Sequence, residues 1–164
     1  MGNKQVKEKN ILVLGLSGVG KTHFLDLLQF QGDTTKKPTK GYYTCCVLFD
    51  KNTCINLIEY GATSPFNLLH DFDGIFVLIR ADYSMEQMLE TKSYLLMCCN
   101  QIKQKEIPIA ILIIGSQHQQ QNLDILQLKY LMREKRCCCL RMDFDDVISW
   151  QRGCSKLFEW IASN

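Results

Sequence analysis

No apolar run in the 164-residue sequence reaches the roughly 18–20 residues that a membrane-spanning helix needs. The longest candidate, Ile107 to Ile114, has the length of a strand and carries Pro108. An excess of one charge is also missing. There are 19 Lys and Arg against 17 Asp and Glu, a formal net charge of +2. That balance argues against a dedicated nucleic-acid binder, which carries a strong basic excess. The start, MGNKQVKEKN, lacks the apolar core of a secretory leader, so a cytoplasmic location is expected. No C-x-x-C occurs, and His23, His70 and His118 lie far apart, so zinc-ligand spacing is absent. There are no internal repeats and no linker-like stretch. The expectation is a flexible polar tail over 1–9 and a single domain over 10–164.

Apolar residues make up 46% and charged residues 22% of the chain, ordinary values for a globular domain. Nine cysteines are many for a chain without an oxidising destination. They read as buried thiols acting as small hydrophobes, with Cys137-Cys138-Cys139 on a strand whose alternate thiols are buried. Apolar runs over Asn10–Gly15, Gly74–Ile79 and Pro108–Ile114 read as covered strands. Tyr42–Phe49 and Thr53–Tyr60 read as two strands joined by the turn Asp50-Lys51-Asn52, and Arg136–Met142 as a short strand. Helical spacing falls on Lys21–Phe30, Ser84–Lys105, Asn122–Lys135 and Ser155–Ala162. In the second of these, Ser84 is the N-cap and Met85, Met88, Leu89, Leu95 and Leu96 are the apolar positions. Strands alternating with helices predict an α/β fold with a mostly parallel sheet.

Gly15-Leu-Ser-Gly-Val-Gly-Lys21-Thr22 fills every fixed position of G-x-x-x-x-G-K-[ST]. It follows a predicted strand and opens a predicted helix, as a phosphate loop must. Glycines let the backbone wrap phosphate oxygens closely, and successive N–H groups at a helix N-terminus form an anion nest. The pattern assigns phosphate contacts to Gly15, Ser17, Gly18, Val19, Gly20, Lys21 and Thr22, with the Thr22 hydroxyl as a Mg²⁺ ligand. A glycine-rich turn with an incidental Lys-Thr pair would need strand, spacing and helix to coincide by chance.

GLSGVGKT followed by Pro38-Thr39-Lys-Gly41 resembles an Arf-like small GTPase of the Ras superfamily, and the order of elements agrees along nearly the whole chain. Ile55-Asn-Leu-Ile-Glu59-Tyr-Gly61-Ala62 resembles the strand and D-x-x-G turn of switch II. Asp73–Leu78 resembles the next strand and Phe158-Glu-Trp160-Ile the last helix. The resemblance implies a P-loop NTPase fold with a mostly parallel six-stranded sheet and helices on both faces. It implies GTP or GDP with Mg²⁺, held by Thr22, by Thr39 and, through water, by Glu59, and a phosphate contact from the Ala62 N–H. It also implies effector and regulator proteins as partners.

The sequence departs from that pattern in several places. Glu59 replaces the switch II aspartate, Ala62 replaces a glycine, and Thr63 replaces the water-positioning glutamine, so no catalytic residue is assigned and hydrolysis is expected to be very slow. The guanine-reading N-K-x-D is absent: Gly115, Ser116, Gln117 and His118 follow the strand. The segment near Arg141-Met-Asp-Phe144 lacks the family's S-A-K-like cradle. Gly2 is a candidate for N-myristoylation, although Val6 stands where the motif has Ser or Thr. Lys4, Lys7 and Lys9 would add attraction to an anionic membrane surface. Three readings compete: a slow GTP-binding switch in membrane-traffic or ciliary-type signalling, a pseudo-GTPase interaction module, and a P-loop kinase or ATPase. The last accommodates the lost guanine motif but not PTxG, the 42–60 hairpin or the small size.

Overall fold

A computed structural model describes residues 7–29, 42–50, 52–60, 71–103, 107–116, 122–128 and 137–163. Six strands form one sheet: β1 (Lys7–Leu14), β2 (Tyr42–Asp50), β3 (Thr53–Tyr60), β4 (Gly74–Arg80), β5 (Ile109–Ile114) and β6 (Cys137–Met142). Among the described residues three α-helices accompany them: α1 (Lys21–Gln29), α2 (Met85–Lys103) and α3 (Val147–Ser163). The strand order is β2-β3-β1-β4-β5-β6, antiparallel only between β2 and β3. The α/β architecture with a six-stranded, mostly parallel sheet is therefore as predicted.

Alternation along the central strands makes two cores. Phe76 and Leu78 of β4, with Ala110, Leu112 and Ile114 of β5, face Phe24, Leu25 and Leu28 of α1 and Trp150, Cys154, Leu157 and Ile161 of α3. Ile75, Val77 and Ile79, with Ile109, Ile111 and Ile113, face Met88, Leu95 and Cys98 of α2. Covering both faces is why these strands read as unbroken apolar runs.

Several boundaries differ from the sequence reading, each for a local reason. Strand β1 starts at Lys7, not Asn10, because Lys7 N–H donates to the Asn52 carbonyl at 2.7 Å and the ladder with β3 begins there. Lys9 is buried, and its ammonium donates to the Ile161 carbonyl at 2.6 Å in the last turn of α3. A cation on those end carbonyls complements the helix dipole. It also removes Lys9 from any membrane-facing cluster.

Helix α2 has the expected cap: Gln87 N–H donates to Ser84 Oγ at 3.3 Å, and Ser84 N–H donates back to Gln87 Oε1 at 3.0 Å. Its buried stripe is Met88, Thr91, Leu95 and Cys98, while Met85, Leu89 and Leu96 are exposed, contrary to expectation. The stretch read as a helix from Asn122 opens with a 3₁₀ turn, Leu123–Leu126, followed by Gln127 at φ 51° and by Leu128 in helical conformation. Residues 129–136 of that expected helix lie outside the described residues.

The last helix begins at Val147, eight residues before Ser155. Asp146 caps it, its Oδ1 accepting from the N–H groups of Ile148 (3.0 Å) and Ser149 (3.3 Å). Gly153 reads as a breaker in sequence but lies inside α3. A Cβ there would sit 2.6 Å from Met142 Cγ, so glycine lets the helix lie close on β6.

The cysteines divide. Cys45, Cys98 and Cys154 are buried, as expected of small hydrophobes. Burial pushes the Cys98 and Cys154 thiols up to about 12. Cys137, Cys138 and Cys139 are all half-buried, which corrects the expected alternation. Cys46 and Cys54 form a disulfide across β2 and β3, with Cα atoms 6.7 Å apart, where free thiols were expected. Cys46 pairs with Asn56 in the ladder, so Cys54, two residues earlier, shares its face.

Candidate phosphate-loop site

The G-x-x-x-x-G-K-T segment joins β1 to α1 at the carboxyl end of the sheet's parallel strands. In open α/β sheets that end is where ligands bind. Gly15, Gly18 and Gly20 all adopt positive φ, at 151°, 76° and 102°. At Gly15 space also matters: an added Cβ would lie 2.8 Å from the Leu78 carbonyl oxygen and 2.8 Å from Val19 Cγ1. At Gly18 nothing lies within 4 Å, so only the backbone conformation requires glycine. Val19 is fully buried and pins the loop to the core, while Ser17 and Gly18 at the crest are exposed. From the α2 side the Tyr94 phenol meets the Gly15 backbone and Cys98, and burial holds its pKa above the ordinary tyrosine value.

The Lys21 ammonium folds over the loop, donating to the carbonyls of Gly15 at 3.0 Å and Leu16 at 3.1 Å. Partial burial lowers its pKa, and the Glu59 carboxylate acts the other way. A half-buried cation at the mouth of such a loop is suited to accept an anion. Beside it the Thr22 hydroxyl donates to Glu59 Oε2 at 2.9 Å. The strand register explains the meeting: Glu59 on β3 pairs with Val13, one residue before the end of β1. Thr22 is exposed and Glu59 half-buried, and two hard oxygen donors beside an anion site suit Mg²⁺.

The opposite flank of the loop has a different construction. After β5, Gly115 adopts φ 134°, and its N–H donates to the Met142 carbonyl at 2.9 Å. Arg141 of β6 donates from Nε to the Gly115 carbonyl at 3.2 Å and from its terminal nitrogen to the Ser116 carbonyl. Asp143 Oδ1 accepts from Asp145 N–H at 3.1 Å, turning the chain toward α3. Between these residues Phe144 packs edge-on to His23 with centroids 5.2 Å apart. Phe144 also meets Trp150 at 5.6 Å and Phe24 at 6.5 Å.

No family model matches the chain. It is 34% identical over 96 residues to ADP-ribosylation factor-like protein 9 of Homo sapiens. That alignment covers 54% of this chain and 50% of that protein, so the chain spans about half the length of this curated relative. Over that stretch the chain is similar to an Arf-like protein.

In this chain the structure brings together Gly15, Ser17, Gly18, Val19, Gly20, Lys21, Thr22 and Glu59, all singled out in the sequence. Gly115 and Ser116 stand apart at the β5 end. Gly2, Thr39, Ala62, Thr63 and His118 lie outside the described residues. Sequence reasoning missed Arg141 as the clamp on the β5 loop and the His23–Phe144 ring pair. Arg141 had one available signal, a lone cation ending the apolar run of β6.

Proposed function

We propose that this chain is a nucleotide-dependent molecular switch, one small-GTPase-like domain that binds GTP and GDP with Mg²⁺. The observation that carries the reading is the constellation at the start of α1: three positive-φ glycines, Lys21 over the loop, and Thr22 bonded to Glu59 at 2.9 Å. Lys21 and the N–H groups of the loop hold phosphate oxygens. Thr22, Thr39 and, through water, Glu59 would hold Mg²⁺, whose charge would neutralise the phosphates. The Ala62 N–H senses the terminal phosphate. Thr63 is too short to orient an attacking water, so hydrolysis is slow and depends on partners. The switch would present its surface to effector and regulator proteins in membrane-traffic or ciliary-type signalling. Its location would be cytoplasmic, with peripheral membrane contact through an acylated Gly2.

Titration calorimetry of the full chain with Mg²⁺ and GTP tests the reading. Saturable binding that is lost in Lys21→Ala supports it, and no binding in the wild type overturns it. For hydrolysis, single turnover of γ-labelled GTP is expected to be slow in the wild type and faster in Thr63→Gln. Fast turnover by the wild type alone would contradict the role given to Thr63.

One observation favours a second reading, a pseudo-GTPase interaction module. The β5 loop has no N-K-x-D, and Arg141 already engages the Gly115 and Ser116 carbonyls. A stable protein whose melting ignores every nucleotide would establish that alternative.

A further inference from the structure

The two flanks of the phosphate loop fix which way a nucleotide would lie. Thr22 and Glu59 mark the cation-binding side, next to β3. A nucleoside on the opposite side of the loop would lie next to β5 and β6. The first groups it meets there are rings. His23 follows Thr22 in the first turn of α1 and is exposed. Phe144 reaches over the same turn, its Cε2 3.5 Å from where a Cβ on Gly20 would be. The imidazole and the phenyl ring meet at 71° with centroids 5.2 Å apart, and His23 is exposed beside that contact. Phe144 is itself held in place: Trp150 crosses it at 77°, and Phe24 lies at 26° to it.

We infer that His23, supported by Phe144, is the base-binding platform of this chain, and that it holds a purine by its face instead of reading its edge. This rests on the phosphate-loop reading given above. Every nucleobase has a π-face, so stacking attracts guanine and adenine alike. Edge reading requires matched donors and acceptors that reject the wrong base when left unpaired. Gly115, Ser116 and His118 stand where the family's N-K-x-D supplies them. Arg141 keeps the start of that loop turned onto β6 by engaging two successive carbonyls. The chain therefore takes purine nucleoside triphosphates as a class, with little preference for GTP over ATP.

Affinities of GTP, ATP and inorganic triphosphate, measured on the full chain in Mg²⁺, test this. GTP and ATP are expected within about threefold of each other, and both about tenfold or more tighter than triphosphate, the scale of one base on one ring. In His23→Ala the nucleotide-to-triphosphate ratio should fall toward one, and in His23→Phe it should return. Because His23 is exposed, neither variant threatens the core. A GTP preference over ATP of about a hundredfold would overturn the inference by revealing an edge reader. So would a ratio unchanged in His23→Ala. Triphosphate bound as tightly as either nucleotide would remove the platform and leave the phosphate loop standing. No binding of any of the three would overturn both.

Discussion

The β1–β3 flank and the β5–β6 flank of the groove solve different recognition problems. On the first, the partners are backbone N–H groups, set by three positive-φ glycines, and three side chains, Lys21, Thr22 and Glu59. A phosphate needs charge and properly curved backbone, and glycine spacing alone specifies most of that. On the second, recognition in Arf-like proteins depends on the identity of a few side chains, and those have been replaced. Arg141 and Phe144 stabilise the loop and the ring cluster without reproducing a guanine-reading edge.

Substitutions can sharpen that contrast, beginning with the strongest. Gly15→Ala places a Cβ 2.8 Å from the Leu78 backbone oxygen in a conformation that disfavours side chains. Overpacking and strain together should cost about 3–4 kcal/mol in chemical denaturation. A cost below about 1 kcal/mol would mean the loop can shift, and the backbone-encoded account would weaken. Gly153→Ala, under the β6 flank, meets Cγ of the buried Met142 side chain, while alanine is the better helix former. A net loss of about 1–2 kcal/mol is expected, with nucleotide affinity kept.

Gly18→Ala separates conformation from space. Nothing lies within 4 Å, but φ is 76°, so stability should fall by only about 1 kcal/mol while GTP binding weakens clearly in calorimetry. Equal effects on folding and binding would contradict the assignment of Gly18 to the anion nest.

The smallest effect is expected at Arg80 and Asp82, beyond the end of β4. The pair is bidentate, at 2.8 and 2.6 Å, but more than a third exposed. The Arg80 guanidinium lowers the Asp82 carboxyl pKa. A lowered folded pKa contributes stability above the ordinary Asp value of 3.8 and loses it as pH falls through the folded value. Asp82→Asn should cost under about 0.5 kcal/mol at neutral pH, vanishing in acid. A loss that persists at low pH would show that the pair does something besides ion pairing.

Much of the fold was legible because burial is periodic. The runs in β4 and β5, the hairpin of β2 and β3 and the phosphate loop all declare themselves locally. What escaped depended on partners distant in sequence. The start of α3 was hidden because Val147 and Ile148 are exposed and Gly153 looks like a breaker until Met142 lies against it. The apolar face of α2 was misplaced because the sheet covers only a narrow stripe of it. Lys9 read as tail charge because its acceptor lies at Ile161, at the far end of the chain. Within the site, Lys21 and Thr22 were evident from spacing. The His23–Phe144 contact joins residues 121 positions apart and leaves no pattern in either segment.

The central claim is that the loop from Gly15 to Thr22 binds the phosphates of a nucleotide. Melting of the full chain in Mg²⁺ with graded GTP, alongside Lys21→Ala, tests it most directly. A ligand that binds only the folded state adds about 2.7 kcal/mol at a hundred times its Kd. The wild-type midpoint should therefore climb with GTP while that of Lys21→Ala stays flat. A wild-type midpoint that does not move at any GTP concentration would contradict the account.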